Sequence, residues 1–314
     1  MIRYSFRRLL SAIPVLLGIS ILAYVLGLMT PGDPAAMALS RDGVSEVTPE
    51  LLEQKREELG LNDSGIVQYG RWLGNVLQGD FGTSFSDNTP VSGELLRRLP
   101  VTLQLTGTSV LLVIVFGIIG GILAAAYAGR ALDTGLKFLT NLMLSFPSFW
   151  VAILLIIVFA ENLRILPTSG LGSFKHLILP SVTLAFANIA MTQRLMRSSM
   201  LTEFGKQYML AANAKGIKKW QVLFTHAFPN AVIPVITLIG NYIGGILGGS
   251  FIVENIFSLP GIGSYALEAI HSRDYPVIQG YVLVTGMTYV LISLAVDLLC
   301  AWINPKMRLG GKMV

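Results

Sequence analysis

The sequence predicts an all-α polytopic membrane protein with six transmembrane helices and a small helical insertion after the first. Three observations carry this prediction. Hydrophobic residues make up 53% of the 314 positions and charged residues only 13%, against roughly 25% charged in an ordinary soluble domain. The mean hydropathy is +0.65. Apolar runs near the ~20 residues needed to cross a bilayer recur at 9–29, 101–128, 138–160, 177–193, 231–253 and 281–303.

The first run follows Arg3, Arg7 and Arg8 like a signal peptide, but it exceeds the roughly 7–15 apolar residues of a signal core and is read as a retained helix. The fourth is interrupted by Pro180, Asn188 and Gln193. Between the first two runs, Thr48-Pro49-Glu50 reads as a helix start and Gly60 as its end. Ile66, Tyr69, Trp72, Leu73, Val76 and Leu77 then repeat at helical spacing. The chain therefore divides into an N-terminal transmembrane helix (1–29), an extracytoplasmic helical insertion (30–100) and a core domain (101–314) that includes a cytoplasmic loop, 194–230. The insertion reads either as a packing element or as a docking surface for a soluble partner.

Charge placement sets the expected orientation. Cytoplasmic loops carry the excess of Lys and Arg, and with both termini inside, fourteen of the 23 basic residues fall on the inner side. Eleven acidic residues lie in the first loop, whereas Asp133 and Glu203 are the acids expected inside. Topology thus accounts for the net charge of +5, and nucleic acid is not needed as a partner. Cys300 is the single cysteine, which excludes an intramolecular disulfide. His176, His226 and His271 are too dispersed in sequence to predict a metal site.

No catalytic site is expected. The chain has no G-x-x-x-x-G-K-[ST], H-E-x-x-H or G-x-S-x-G motif. Asp297 is the one ionisable residue inside the runs, near the inner end, where an ion pair is a better reading than a proton or sodium relay. Uphill movement would then need energy from another chain. Small residues at fourfold spacing, Gly240/Gly244/Gly248 and Gly117/Gly121/Ala125, read as close helix contacts or as a lining of a substrate path.

The loop sequence "LAANAKGIKKWQVLFTHAFP" (210–229) suits a short exposed helix backed by a second one. Ala211, Ala212 and Ala214 give a turn with little side-chain bulk, and Gly216 can end it in a left-handed conformation. Pro229 and Pro234 would stop or kink the chain beyond. A lipid-bound amphipathic helix is the alternative, favoured equally by Lys215, Lys218 and Lys219.

The spacing of Ala211, Ala212, Gly216 and Pro229 resembles the E-A-A-x-x-x-G loop of permease subunits of ATP-binding-cassette (ABC) importers, with Leu210 where glutamate usually stands. Further segments, "PGDP", "QYGRWLGNVLQGDFGTSF", "LPVTLQL", "LILPSVTLA" and above all "ENIFSLPGIG…RDYPVIQ", are similar to the first of the two permeases in dipeptide, oligopeptide and nickel uptake systems. The resemblance implies a type I ABC importer permease fold in a bacterial inner membrane. It implies a homologous second permease, two cytoplasmic ATPases that bind ATP and Mg, and an extracytoplasmic substrate-binding protein. Ala211, Ala212, Gly216, Ile217 and Pro229 would form the coupling element that fits a groove on an ATPase. Glu254, Arg273 and Asp274 would shape an outer gate, meet the binding protein, or pair within a salt-bridged loop. Asn188 and Gln193 would face the pathway or bond across helices. Peptide and nickel, free or chelated, both remain open as substrate. A gradient-driven carrier or channel and a membrane hydrolase are the rival functions.

Overall fold

The computed structural model describes residues 2–29, 33–41 and 47–303, and it is helical almost throughout them. The basic residues expected at the C-terminal end, Lys306, Arg308 and Lys312, lie outside the described residues, as do the side chains of Arg3, Arg7, Arg8 and Leu210. The helices are α1 (Ile2–Met29), α2 (Pro34–Arg41), α3 (Pro49–Glu58), α4 (Gly65–Leu77) and α5 (Val91–Ala126). Next come α6 (Ala131–Ser145), α7 (Ser148–Asn162), α8 (Lys175–Phe204), α9 (Gln207–Ala214) and α10 (Val222–Gly249). The last three are α11 (Phe251–Ile256), α12 (Ile262–Ser272) and α13 (Tyr275–Ile303).

Among the described residues, four segments are long and apolar enough to cross a membrane: 9–28 within α1, and all of α5, α10 and α13. The third expected span is corrected. Instead of one helix over 138–160, α6 and α7 form a pair bent by 101°. The cause is Pro147, whose ring disfavours the helical region for the residue before it; Phe146 accordingly adopts φ −100°, ψ 130°. The fourth expected span lies within α8, a helix of 30 residues that Pro180 does not break. It falls short of the others in apolarity because Ser181, Thr183, Asn188, Thr192 and Gln193 interrupt the apolar residues between Leu177 and Gln193. Pro229 and Pro234 do not stop α10 either, which continues through both. A widened π-helical stretch, Val222–Ala227, precedes Pro229 and adjusts the backbone before its missing donor.

The chain forms two compact units. One contains 10–101 and 260–288. Its core gathers Val91, Leu95, Ile262, Tyr265, Ala269 and Val277. In it Thr48 caps α3 by accepting the Leu51 N–H at 3.3 Å, and Gly60 follows with φ +64°. Of the described residues, the other unit contains 2–9, 102–259 and 289–303, with a core around α5, α8 and α10 that includes Val113, Met196, Met200, Val235 and Ile239. Glycines permit the closest approaches there. A Cβ on Gly117 would stand 2.8 Å from the Thr192 side chain, one on Gly121 2.8 Å from the Gln193 carbonyl, and one on Gly240 2.8 Å from Val296. Gly117, Gly121 and Gly240 therefore belong to helix packing. Gly248 differs, because a Cβ there would meet nothing within 4 Å.

Candidate functional site

The loop between α8 and α10 is a folded hairpin with its own anchors. Met209, Ala212, Val222 and Ala227 are buried and join the same core as Met196 and Met200. At its root, the buried Glu203 carboxylate accepts hydrogen bonds from Lys206 Nζ at 2.6 Å and from the Tyr208 hydroxyl. Burial, followed by the Glu203 carboxylate, pushes the Tyr208 phenol up to about 12. The hydroxyl stays protonated and keeps its proton for Glu203. Asn230 Nδ2 donates to the His226 carbonyl at 2.9 Å on the returning strand of the hairpin.

The tip is a Schellman turn. Gly216 has φ +70°, and the Ile217 N–H reaches back to the Ala212 carbonyl at 3.4 Å. That bond requires a left-handed residue just past the helix end, which glycine supplies without steric cost. It also fixes which alanines face outward. Ala211, Ala214 and Gly216 are exposed, Ile217 and Pro229 are half-buried, and Ala212 is buried at 6% exposure. The five residues grouped by the sequence are thus brought onto one hairpin, but Ala212 supports it from within while Ala211 and Gly216 present its surface.

Sequence reasoning did not single out the aromatic pair beside this tip. Trp220 is 70% exposed and stacks on Phe224 with centroids 5.1 Å apart and planes inclined by 12°. Trp220 also lines a cavity of about 480 Å³ with Met209, Leu223, Leu123 and Arg130. The signal in the sequence is the i, i+4 spacing of two aromatics in a water-facing loop.

An ion-pair cluster braces α6 against α8. Asp133 is fully buried and accepts from Arg197 Nε at 2.7 Å, Arg197 Nη2 at 2.9 Å and the Gly129 N–H at 2.9 Å, with Lys137 at 3.3 Å. Both acids expected on the inner side, Asp133 and Glu203, are therefore structural partners of basic groups.

The two candidate pathway residues separate. Asn188 lines a cavity of about 450 Å³ together with Phe146, Ser148, Thr183, Tyr242, Gly245 and Gly249. Its amide and the Tyr242 hydroxyl both donate to the Leu184 carbonyl, at 3.2 and 2.8 Å. Among the described residues, no Asp, Glu, Lys, Arg or His lines this cavity. Gln193 is buried and donates to the Leu136 carbonyl at 3.2 Å, which ties α8 to α6.

The three candidate gate residues fall in different compact units and are held differently. Glu254 is fully buried and accepts from Thr102 and Ser250 hydroxyls, each at 2.8 Å. Arg273 is exposed at φ +58°, the left-handed end of α12. Asp274 is buried, accepting from the Ser84 hydroxyl at 2.6 Å and the Ser86 N–H at 3.1 Å. The two carboxylates serve as internal anchors of their loops, which leaves Arg273 as the exposed charge.

Residues 117–309 match the family described as "Binding-protein-dependent transport system inner membrane component", and residues 1–106 match the N-terminal component of the same systems. The chain belongs to this family. It is an importer permease of the ABC class. It is 39% identical over 308 residues to the glutathione transport system permease protein GsiC of Escherichia coli K12, covering 98% of this chain and 99% of the relative. It is 40% identical over 310 residues to a putative peptide transport system permease protein of Brucella abortus strain 2308, covering 96% and 98%. Among solved structures, the methionine ABC transporter MetNI in inward-facing conformations matches with a TM-score of 0.55 at 18% identity, covering 67% of this chain and 96% of that one. This likeness concerns the fold alone. The permease assignment places the chain in an inner membrane.

Proposed function

We propose that this chain forms one half of a translocation path for small peptides, paired with a homologous permease, served by two ATPases and loaded by a substrate-binding protein. The substrate class is supported by full-length relatives named for glutathione and peptide transport. The charge-free cavity around Asn188 supports it as well. Short peptides vary in side-chain charge as well as size, and a neutral wall with a few hydrogen-bonding groups does not select on that charge.

The observation that carries the coupling assignment is the capped hairpin. A tip of exposed Ala211 and left-handed Gly216, anchored by buried Met209 and Ala212, offers backbone to a partner on a rigid support. The ATPases would engage this tip from the cytoplasm, with both chain termini on that side, residues 30–100 outside, and the core from 101 carrying the path. Arg273 then presents an exposed charge to the binding protein. The ATPases supply ATP and Mg chemistry, and the permease contributes no catalytic group.

The test is purification of the chain from its native membrane after Ala211→Trp. The reading expects a second permease to co-purify as before while the ATPases are lost, because Trp adds bulk at an exposed contact. Unchanged ATPase recovery and peptide uptake would overturn the coupling role. Recovery of the wild-type chain alone, with uptake driven by a proton or sodium gradient, would overturn the importer complex itself.

A further inference from the structure

Helix α4 has more apolar surface than its packing uses. At 100° per residue, Trp72, Val76, Tyr69 and Leu73 occupy one flank of its apolar arc, whereas Ile66, Gly70, Leu77 and Val67 continue it around the other. The first flank is partnered. The Tyr69 hydroxyl bonds the Ser20 hydroxyl of α1 at 2.7 Å, Tyr24 donates to Gln68 at 3.2 Å, and the Tyr24 ring lies 5.5 Å from Tyr69 and 5.4 Å from Trp72. The second flank is open. Ile66 is 85% exposed, Leu77 80% and Val67 51%.

The contacts with α1 fix the depth at which this open flank lies. Ser20 and Tyr24 are inside the apolar segment that ends at Leu28. Tyr24 is one turn, about 6 Å, from that end at 1.5 Å per residue. The Tyr69 and Trp72 rings, packed edge-on and tilted against Tyr24, therefore sit at the boundary of the ~30 Å hydrocarbon layer, where Tyr and Trp concentrate in membrane proteins. The charge of α4 fits the same level: it has no acidic residue, and its single cation, Arg71, lies on the opposite face, paired with Asp63. The eleven acids of the 30–99 loop lie elsewhere in it.

We infer that α4 is an interfacial helix seated in the leaflet where α1 ends, with Ile66 and Leu77 among lipid acyl chains, Val67 at the edge of the polar face, and Arg71, Asn75 and Gln78 toward water. The occupant of the open flank is the bilayer. An amphipathic helix lying in the interface plane buries such a flank by several ångströms. Its role is to fix the height of the insertion above the membrane through the Tyr24–Tyr69–Trp72 cluster.

Spin labels on Ile66→Cys and Leu77→Cys, each in a Cys300→Ala background, test this in the assembled transporter reconstituted into nanodiscs of phosphatidylethanolamine and phosphatidylglycerol. Glu58→Cys on α3 serves as the water-facing reference. Power saturation should show oxygen access at both labels well above that at Glu58, and access of a nickel chelate several-fold below it. Chelate access equal to that at Glu58 would overturn the inference in favour of a water-facing surface for a soluble protein. Low access to both reagents would overturn it in favour of a covering permease subunit. Peptide uptake by each variant in proteoliposomes confirms that the assembly is intact.

Discussion

Replacing Gly216 isolates backbone conformation from bulk, because a Cβ at this position would meet nothing within 4 Å. Gly216→Ala therefore adds no clash with neighbours, only the cost of holding an L-residue at φ +70°, about 1–2 kcal/mol. That cost falls on the Schellman turn alone, because the hairpin below remains anchored by Met209, Ala212 and Val222. If the ATPases recognise the turn as folded here, a 1–2 kcal/mol penalty lowers their affinity about 5- to 30-fold. Asn tolerates the left-handed region better than Ala and should lie between Gly and Ala. Proline, with φ fixed near −65°, should abolish coupling. The assay is titration of purified ATPases onto permease nanodiscs, with peptide uptake in proteoliposomes alongside. An alanine variant that binds the ATPases as tightly as wild type would refute the reasoning, because the left-handed turn would then not be what the partner reads.

Four further outcomes follow from the same geometry. Asp133→Asn leaves the part-exposed Arg197 facing a neutral group and should cost about 1–3 kcal/mol, read as a lower unfolding midpoint of the detergent-solubilised chain; adding Arg197→Met should recover part of it. Tyr208 holds its proton more tightly in the fold than in the unfolded chain, so stability should fall as pH rises from 10.0 toward about 12, and Tyr208→Phe should flatten that slope in melting curves recorded across this range. Gly244→Ala should destabilise by about 1–3 kcal/mol, because its Cβ would collide with the Tyr289 ring, whereas Gly248→Ala, with open space at the same helix, should leave the melting midpoint unchanged. Asn188→Asp puts a charge on a neutral wall; at 4 Å an anionic group would be repelled by about 1–4 kcal/mol between effective dielectrics of 80 and 20, so anionic peptides should lose at least about fivefold in uptake relative to neutral ones.

What the sequence made legible, and what it hid, follows from the range of the interactions involved. The cap at Thr48, the stop at Gly60 and the left-handed Gly216 depend on adjacent residues, and each adopts the expected conformation. The break at Pro147 was equally local, since Phe146 stands before a proline, but the apolar run through it looked continuous and the length criterion prevailed. The candidate site depended on distant pairings. Nothing near Glu254 in sequence announces Thr102, and nothing near Asp274 announces Ser84, 190 positions away. Both carboxylates therefore read as loop charges until their burial was visible. Asn188 and Gln193 lie five positions apart on one helix, and which of them met the cavity turned on where α6 and α10 packed.

The hairpin and the cavity share one continuous element. Helix α10 begins at Val222 inside the hairpin and ends at Gly249 on the cavity wall, a run of 28 residues or about 42 Å at 1.5 Å per residue. Its glycines serve two faces about 140° apart at 100° per residue, the second shared with Tyr242 and Ile246. Gly240 and Gly244 admit Val296 and Tyr289 of α13, whereas Gly245 and Gly249 line the cavity. Under the proposed coupling, a helix clamped this closely would move as a body with its clamp, and a push at the tip would displace the cavity wall without a relay of hydrogen bonds. The two-state element that both sites bias would then be this helix. The prediction separates it from a side-chain pathway: Asn188→Ala should alter substrate preference while leaving ATPase stimulation intact, whereas crowding the Gly244–Tyr289 contact should disturb both together.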